Sequence, residues 1–93
     1  MFRARSERKR LEVTLYRKPG CGLCDEAAAA LDRIARRVPL SVTLVDIDQD
    51  PDIQARYFLE IPVVLVNGEE VARAPIGERA LEDALRLAAK RPG

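Results

Sequence analysis

The chain has no histidine and no tryptophan, a single methionine, and only four aromatic residues among its 93. Phe2, Tyr16 and Phe58 are too scattered to form a stacking platform for nucleic-acid bases. The cysteines number two, Cys21 and Cys24. Without histidine or a second cysteine pair, one chain cannot complete a four-coordinate zinc site without borrowing ligands from a partner. No apolar run approaches the roughly 18 residues of a membrane span, and the N-terminus carries no hydrophobic signal region. The formal net charge of +1 exerts no global pull towards nucleic acid or membrane.

The content of 47% apolar and 33% charged residues suits a soluble globular protein. A chain of this length buries roughly 60 to 70% of the surface its unfolded form exposes, which allows a modest core. The local charge bias is N-terminal. Arg3, Arg5, Arg8, Lys9 and Arg10 have few apolar neighbours, so residues 1–10 read as a solvated, mobile basic tail ahead of one domain over 11–93. A cytoplasmic location is expected. Thiols are kept reduced there, so a close cysteine pair is expected to be catalytic, redox-sensing or metal-binding rather than a structural staple.

Leu11 to Tyr16 alternates and is rich in β-formers, which predicts a strand, and Pro19-Gly20 then make a turn. From Gly22 to about Arg37, Leu23, Ala27, Ala30, Leu31, Ile34 and Val38 recur at helical steps. This predicts an amphipathic helix with acids in its first turn and Arg36 and Arg37 in its last. Ser41 to Ile47 predicts a second strand. Asp50-Pro51-Asp52 has the pattern of a helix start, and a short helix to about Phe58 is expected. Pro62 to Val66, Asn67-Gly68 and Glu69 to Ala72 read as a β-hairpin with a type I′ turn. A last helix is expected from about Glu78 to Lys90, with Leu81, Ala84, Leu85 and Ala88 on one face. Asp46, Asp48 and Asp50 resemble the start of a calcium loop, but Pro51 and Tyr57 stand where that loop needs Gly and Glu, so they read as strand-end and cap residues.

The run Lys18-Pro19-Gly20-Cys21-Gly22-Leu23-Cys24 therefore falls where a strand hands over to a helix. A thiolate at a helix N-terminus is favoured by unpaired N–H groups and by the helix dipole, and a second cysteine three residues on can close a disulfide onto it. The spacing thus points to dithiol-disulfide exchange. The order β-α-β-α-β-β-α implies a four-stranded mixed α/β sheet covered by helices, with the first two strands parallel.

Over about residues 11–90 the chain resembles the glutaredoxin branch of the thioredoxin superfamily, above all its short bacterial glutaredoxin-like proteins. The resemblance rests on Leu15 to Cys24, on Glu60-Ile61-Pro62-Val63-Val64 and on Val66-Asn67-Gly68. It implies a thioredoxin fold and a small thiol-disulfide oxidoreductase. Cys21 matches the nucleophilic cysteine and Cys24 the more buried resolving one. Pro62, which alone reads as a trans proline opening a strand, matches the family's cis-proline. The Ile61 backbone would then pair with an extended substrate. Lys18 matches a cation that could favour the Cys21 thiolate and contact a substrate carboxylate.

The family commonly has Thr where this chain has Glu60, Gly-Gly where it has Ala72-Arg73, and Pro-Tyr where it has Gly22-Leu23. An acid at position 60 would repel the carboxylates of glutathione, and Arg73 or Lys18 could compensate. No tightly bound cofactor and no metal is expected, with glutathione a possible co-substrate. The expected partners are protein or small-molecule disulfides and a thiol reductant, either glutathione or a thioredoxin-type reductase system. Neither nucleic acid nor membrane is expected, and the protein should act as a monomer. The competing reading is a carrier of metal or an iron-sulfur cluster, with the cysteines shared between two chains.

Overall fold

The computed structural model describes residues 10–91, so Arg3, Arg5, Arg8 and Lys9 of the expected basic tail lie outside the described residues. Four strands and three helices follow one another as β1 (Leu11–Arg17), α1 (Gly22–Ile34), β2 (Leu40–Asp46), α2 (Pro51–Tyr57), β3 (Val63–Val66), β4 (Glu69–Arg73) and α3 (Glu78–Ala89), with a 3-10 turn at Ile47–Gln49. The sheet order is β2-β1-β3-β4. β1 runs parallel to β2 and antiparallel to β3, and β3 runs antiparallel to β4.

The central strands carry the core on both faces. Val13 and Leu15 of β1 and Val64 and Val66 of β3 face α1 and α3, where they meet Ala27, Ala30, Leu31, Ile34, Leu81 and Leu85. Val63 and Leu65 point the other way, towards Tyr57 and Ile53 of α2 and Tyr16 of β1. β3 is buried at all four positions, which explains why Val-Val-Leu-Val reads as an unbroken apolar run rather than an alternation. On the α2 side the rings of Tyr16 and Tyr57 meet edge to face, with centroids 5.0 Å apart.

Several local signals act as expected. Asp50 caps α2 by accepting from the N–H groups of Asp52 and Ile53, with Pro51 in the first turn. Asn67 and Gly68 both have positive φ, as a type I′ turn demands. Several boundaries differ by a residue or more, and two of them have a clear local cause. α1 ends at Ile34 rather than near Arg37, because Arg36 and Arg37 donate to carbonyls three residues back and tighten the chain ahead of Pro39. β2 stops at Asp46 rather than Ile47. The Asp46 carboxylate accepts from the Asp48 N–H, and the resulting 3-10 turn carries Ile47 into the interior. Asp46 and Asp50 are thus the caps they were expected to be.

Candidate active site

Antiparallel pairing of Tyr16 with Val63 brings the C-terminal end of β1 beside the N-terminal end of β3. The chain leaving β1 becomes the Cys21–Cys24 segment, and the chain entering β3 is Ile61-Pro62, so register alone places these two segments at one end of the sheet. Between β1 and α1 the backbone must turn sharply, and Gly20 does so at φ +80°, a conformation costly for residues with a side chain. The Cys21 N–H then donates to the Lys18 carbonyl at 3.4 Å.

Cys21 is the N-cap of α1. Its sulfur accepts from the backbone N–H of Cys24 at 3.1 Å, doing for the first helical turn what a Ser or Asp oxygen commonly does. The same sulfur is joined to that of Cys24, with the two Cα atoms 5.2 Å apart. The two cysteines differ in access: Cys21 is half-buried, whereas Cys24, within α1, is 1% exposed. Asp25 adds an acid to the first turn of the helix.

The structure brings Pro62 to this end of the molecule. Pro62 is buried, the Ile61–Pro62 peptide bond is cis, and the Pro62 carbonyl accepts from the Ala74 N–H at 3.0 Å. The Ala74–Pro75 bond is also cis, a feature with no signal in the sequence. Ile61 is half-buried, and its N–H donates to the Tyr57 carbonyl at 3.2 Å, so the carbonyl is the backbone group it can offer without breaking an internal bond. Lys18 is exposed in the turn ahead of Cys21.

A groove of about 570 Å³ runs from Leu23 and Pro62 along α1 to the loop before α3. Ala27, Ala30, Ile76 and Leu81 line its floor. Its far end is closed by Arg33, whose guanidinium pairs with Glu78 at 2.7 Å. At the edge of the Ile61-Pro62 segment, Arg73 pairs with Glu60 at 2.8 Å and with Glu70. Arg73 is therefore held between two carboxylates, and its guanidinium is more basic than usual through the hydrogen bond to Glu70. The sequence pointed to Arg73 and Glu60 separately; their pairing depends on β4 register. Among the described residues, no group of three or more His, Cys, Asp or Glu comes together in a way that could hold a metal ion.

A mixed sheet in this order, with a Cys-x-x-Cys pair at the N-terminus of its first helix and the two sulfurs at disulfide distance, defines a thioredoxin-fold protein with a redox-capable dithiol. Among solved structures the chain is similar to a structural-genomics target protein from X. campestris, with 32% identity and a TM-score of 0.68 over 85% of this chain and 99% of that one. It is also similar to a mutant thioredoxin from Halobacterium salinarum, with 18% identity and a TM-score of 0.66 over 95% and 82% of the two chains. Thioredoxin from Fasciola hepatica matches with 26% identity and a TM-score of 0.59 over 84% and 80%. The family described as Glutaredoxin-like domain (DUF836) matches residues 12–86, and the chain belongs to it.

Proposed function

We propose that the protein is a thiol-disulfide oxidoreductase in which Cys21 is the nucleophile and Cys24 the resolving thiol. The observation that carries this reading is the unequal access of two bonded sulfurs at one helix N-terminus: Cys21 is reachable, and Cys24 is 1% exposed. In the reduced protein the Cys24 N–H and the α1 dipole favour a thiolate at Cys21. That thiolate attacks one sulfur of a substrate disulfide, forms a mixed disulfide and expels the other sulfur as thiolate, which takes up a proton from water. Cys24, deprotonated, then attacks the Cys21 sulfur and releases the second substrate thiol. Two electrons have passed to the substrate, and Cys21–Cys24 is a disulfide again. A thiol reductant reverses the sequence on the protein.

Substrate placement falls to the neighbouring segment. An extended substrate lies beside Ile61, paired through its carbonyl because the N–H is held by Tyr57, with Pro62 at the same end of the sheet as Cys21. An apolar side chain next to the substrate cysteine fits the groove that begins at Leu23. Lys18 is the cation available to a substrate carboxylate. Arg73 is engaged by Glu60 and Glu70, which leaves that side of the site with an excess of negative charge. This arrangement favours a protein reductant over free glutathione, whose carboxylates it opposes.

The test is a pair of variants incubated with a disulfide substrate and resolved by mass spectrometry. Cys21→Ser abolishes exchange, and Cys24→Ser accumulates a mixed disulfide on Cys21. Full activity in Cys21→Ser would overturn the assignment of the nucleophile.

A further inference from the structure

The sheet has two edges, and they are built differently. β4 carries Glu69, Glu70 and Arg73, and its pairing with β3 slips between Val64 and Leu65. Charges and an irregular register are devices that discourage a further strand from adding on. β2 has neither. It runs Leu-Ser-Val-Thr-Leu-Val-Asp for seven residues with one charge, at its last position, no proline, and an unbroken register against β1. Leu44 stands 54% exposed on it.

Two hydrogen bonds fix which backbone groups face outwards. The Pro39 carbonyl accepts from the Leu11 N–H at 3.0 Å, so it points to β1. The Leu40 carbonyl accepts from the Arg10 guanidinium at 3.4 Å. Since direction alternates along a strand, the main chain at Ser41, Thr43 and Val45 faces β1, and that at Leu40, Val42, Leu44 and Asp46 faces away. The side chains of this second set share the face covered by α1.

We propose that β2 pairs antiparallel with β2 of a second copy of this chain, about a two-fold axis through Thr43, to form one continuous sheet across two subunits. The occupant follows from self-complementarity. In this register Val42 and the partner's Leu44 exchange both N–H···O bonds, as do Leu44 and the partner's Val42, and their side chains form one apolar patch over the axis. Leu40 pairs with the partner's Asp46. Arg10, whose guanidinium already sits at the Leu40 carbonyl, thereby meets the partner's Asp46 carboxylate, and the two-fold creates that contact twice. On the opposite face Thr43 meets its own symmetry mate and Ser41 meets the partner's Val45. Sliding the register by two residues leaves an outward group unpaired and separates Arg10 from Asp46. The proposal departs from the monomer expected from the sequence, and it involves neither cysteine.

Sedimentation of the full chain from micromolar to millimolar concentration, joined to amide hydrogen exchange at Val42 and Leu44, tests it. The expected result is a reversible monomer-dimer equilibrium, with protection of those two amides rising with concentration. Leu44→Lys weakens association by at least about tenfold and leaves the melting temperature and disulfide exchange unchanged. Arg10→Glu weakens it roughly two- to five-fold, the scale of an exposed ion pair. Leu87→Lys, on an exposed α3 position remote from β2, has no effect. A single monomeric species at all concentrations would overturn the proposal. So would a dimer that persists in Leu44→Lys, or protection of both amides that is independent of concentration, which would mean that another part of the same chain covers the edge.

Discussion

At the scale of single residues, the proposed chemistry gathers on one sulfur. Cys21 caps α1, accepts from Cys24 N–H and is bonded to the Cys24 sulfur, so its reactivity and the start of the helix are one arrangement. Alkylation of the reduced protein should therefore modify Cys21 well before Cys24; equal rates at the two positions would contradict their unequal burial. Glu60 and Arg73 make a second residue-scale prediction. Glu60→Gln removes one of the two carboxylates that hold Arg73, and it should raise the rate of reduction by glutathione by roughly two- to five-fold, as expected for one exposed charge. An unchanged rate would show that this pair does not set the preference among thiols. Much at this scale was legible beforehand. Cys21, Cys24, the Asp50 cap and the Asn67-Gly68 turn all have short-range signals. The hydrogen bond from Ile61 N–H to the Tyr57 carbonyl had none, because it depends on how α2 ends relative to the next strand.

At the scale of elements, α1 and α3 are clamped across 45 residues of sequence by a ladder of arginines and glutamates. Arg33 pairs with Glu78, Arg37 with Glu78 and Glu82, and Arg86 with Glu82. Glu82 is the hub. Hydrogen bonds from Arg37 and then Arg86 hold its carboxyl at about 2, below an ordinary value of 4.5. The hydrogen bond from Arg33 lowers that of Glu78 in the same direction. A carboxyl whose folded value is depressed stabilises the fold fully above its unfolded value and loses that contribution as the pH falls through the folded one. Glu82→Gln should thus lower the melting temperature at pH 7, and the gap from wild type should close between about pH 4.5 and 2. A gap that stays constant over that window would mean that the clamp acts through packing alone. Glu82, Arg33 and Arg86 lie off the apolar helix faces predicted from the sequence, where no local signal assigns them partners. Their partners could be named only once α1 was seen to stop at Ile34, which leaves Arg37 just beyond the helix and beside α3.

At the scale of the molecule, sequence periodicity yielded the order of elements, and the handedness of β-α-β connections with the Asn-Gly hairpin yielded a mixed sheet with its first two strands parallel; the strand order β2-β1-β3-β4 is visible only in the structure. The core followed from the same pattern: Leu31, Ile34, Leu81 and Leu85 lie on the predicted helix faces and are buried. Leu31→Ala should cost about 2 to 5 kcal/mol in unfolding free energy, measured by denaturant titration, because the central face of α1 has no solvent-side room to collapse. A loss below 1 kcal/mol would show that the α1 face of the sheet is loosely packed, on the same scale. Periodicity and composition could not reveal at this level which segments the register brings together, although the family resemblance implied it for Pro62. The juxtaposition of Cys21-Cys24 with Ile61-Pro62 requires Tyr16 to pair with Val63, a contact 47 residues apart in sequence, and the groove between α1 and the loop before α3 appears only when both helices share one face of the sheet.

The most direct test of the account is an equilibrium redox titration of the full chain, in glutathione buffers and again in dithiothreitol buffers, with mass spectrometry of the quenched species. The account predicts one reversible two-electron transition between Cys21–Cys24 disulfide and dithiol in both series, with little glutathione adduct on Cys21. Failure of that disulfide to form at any potential in either buffer would contradict it.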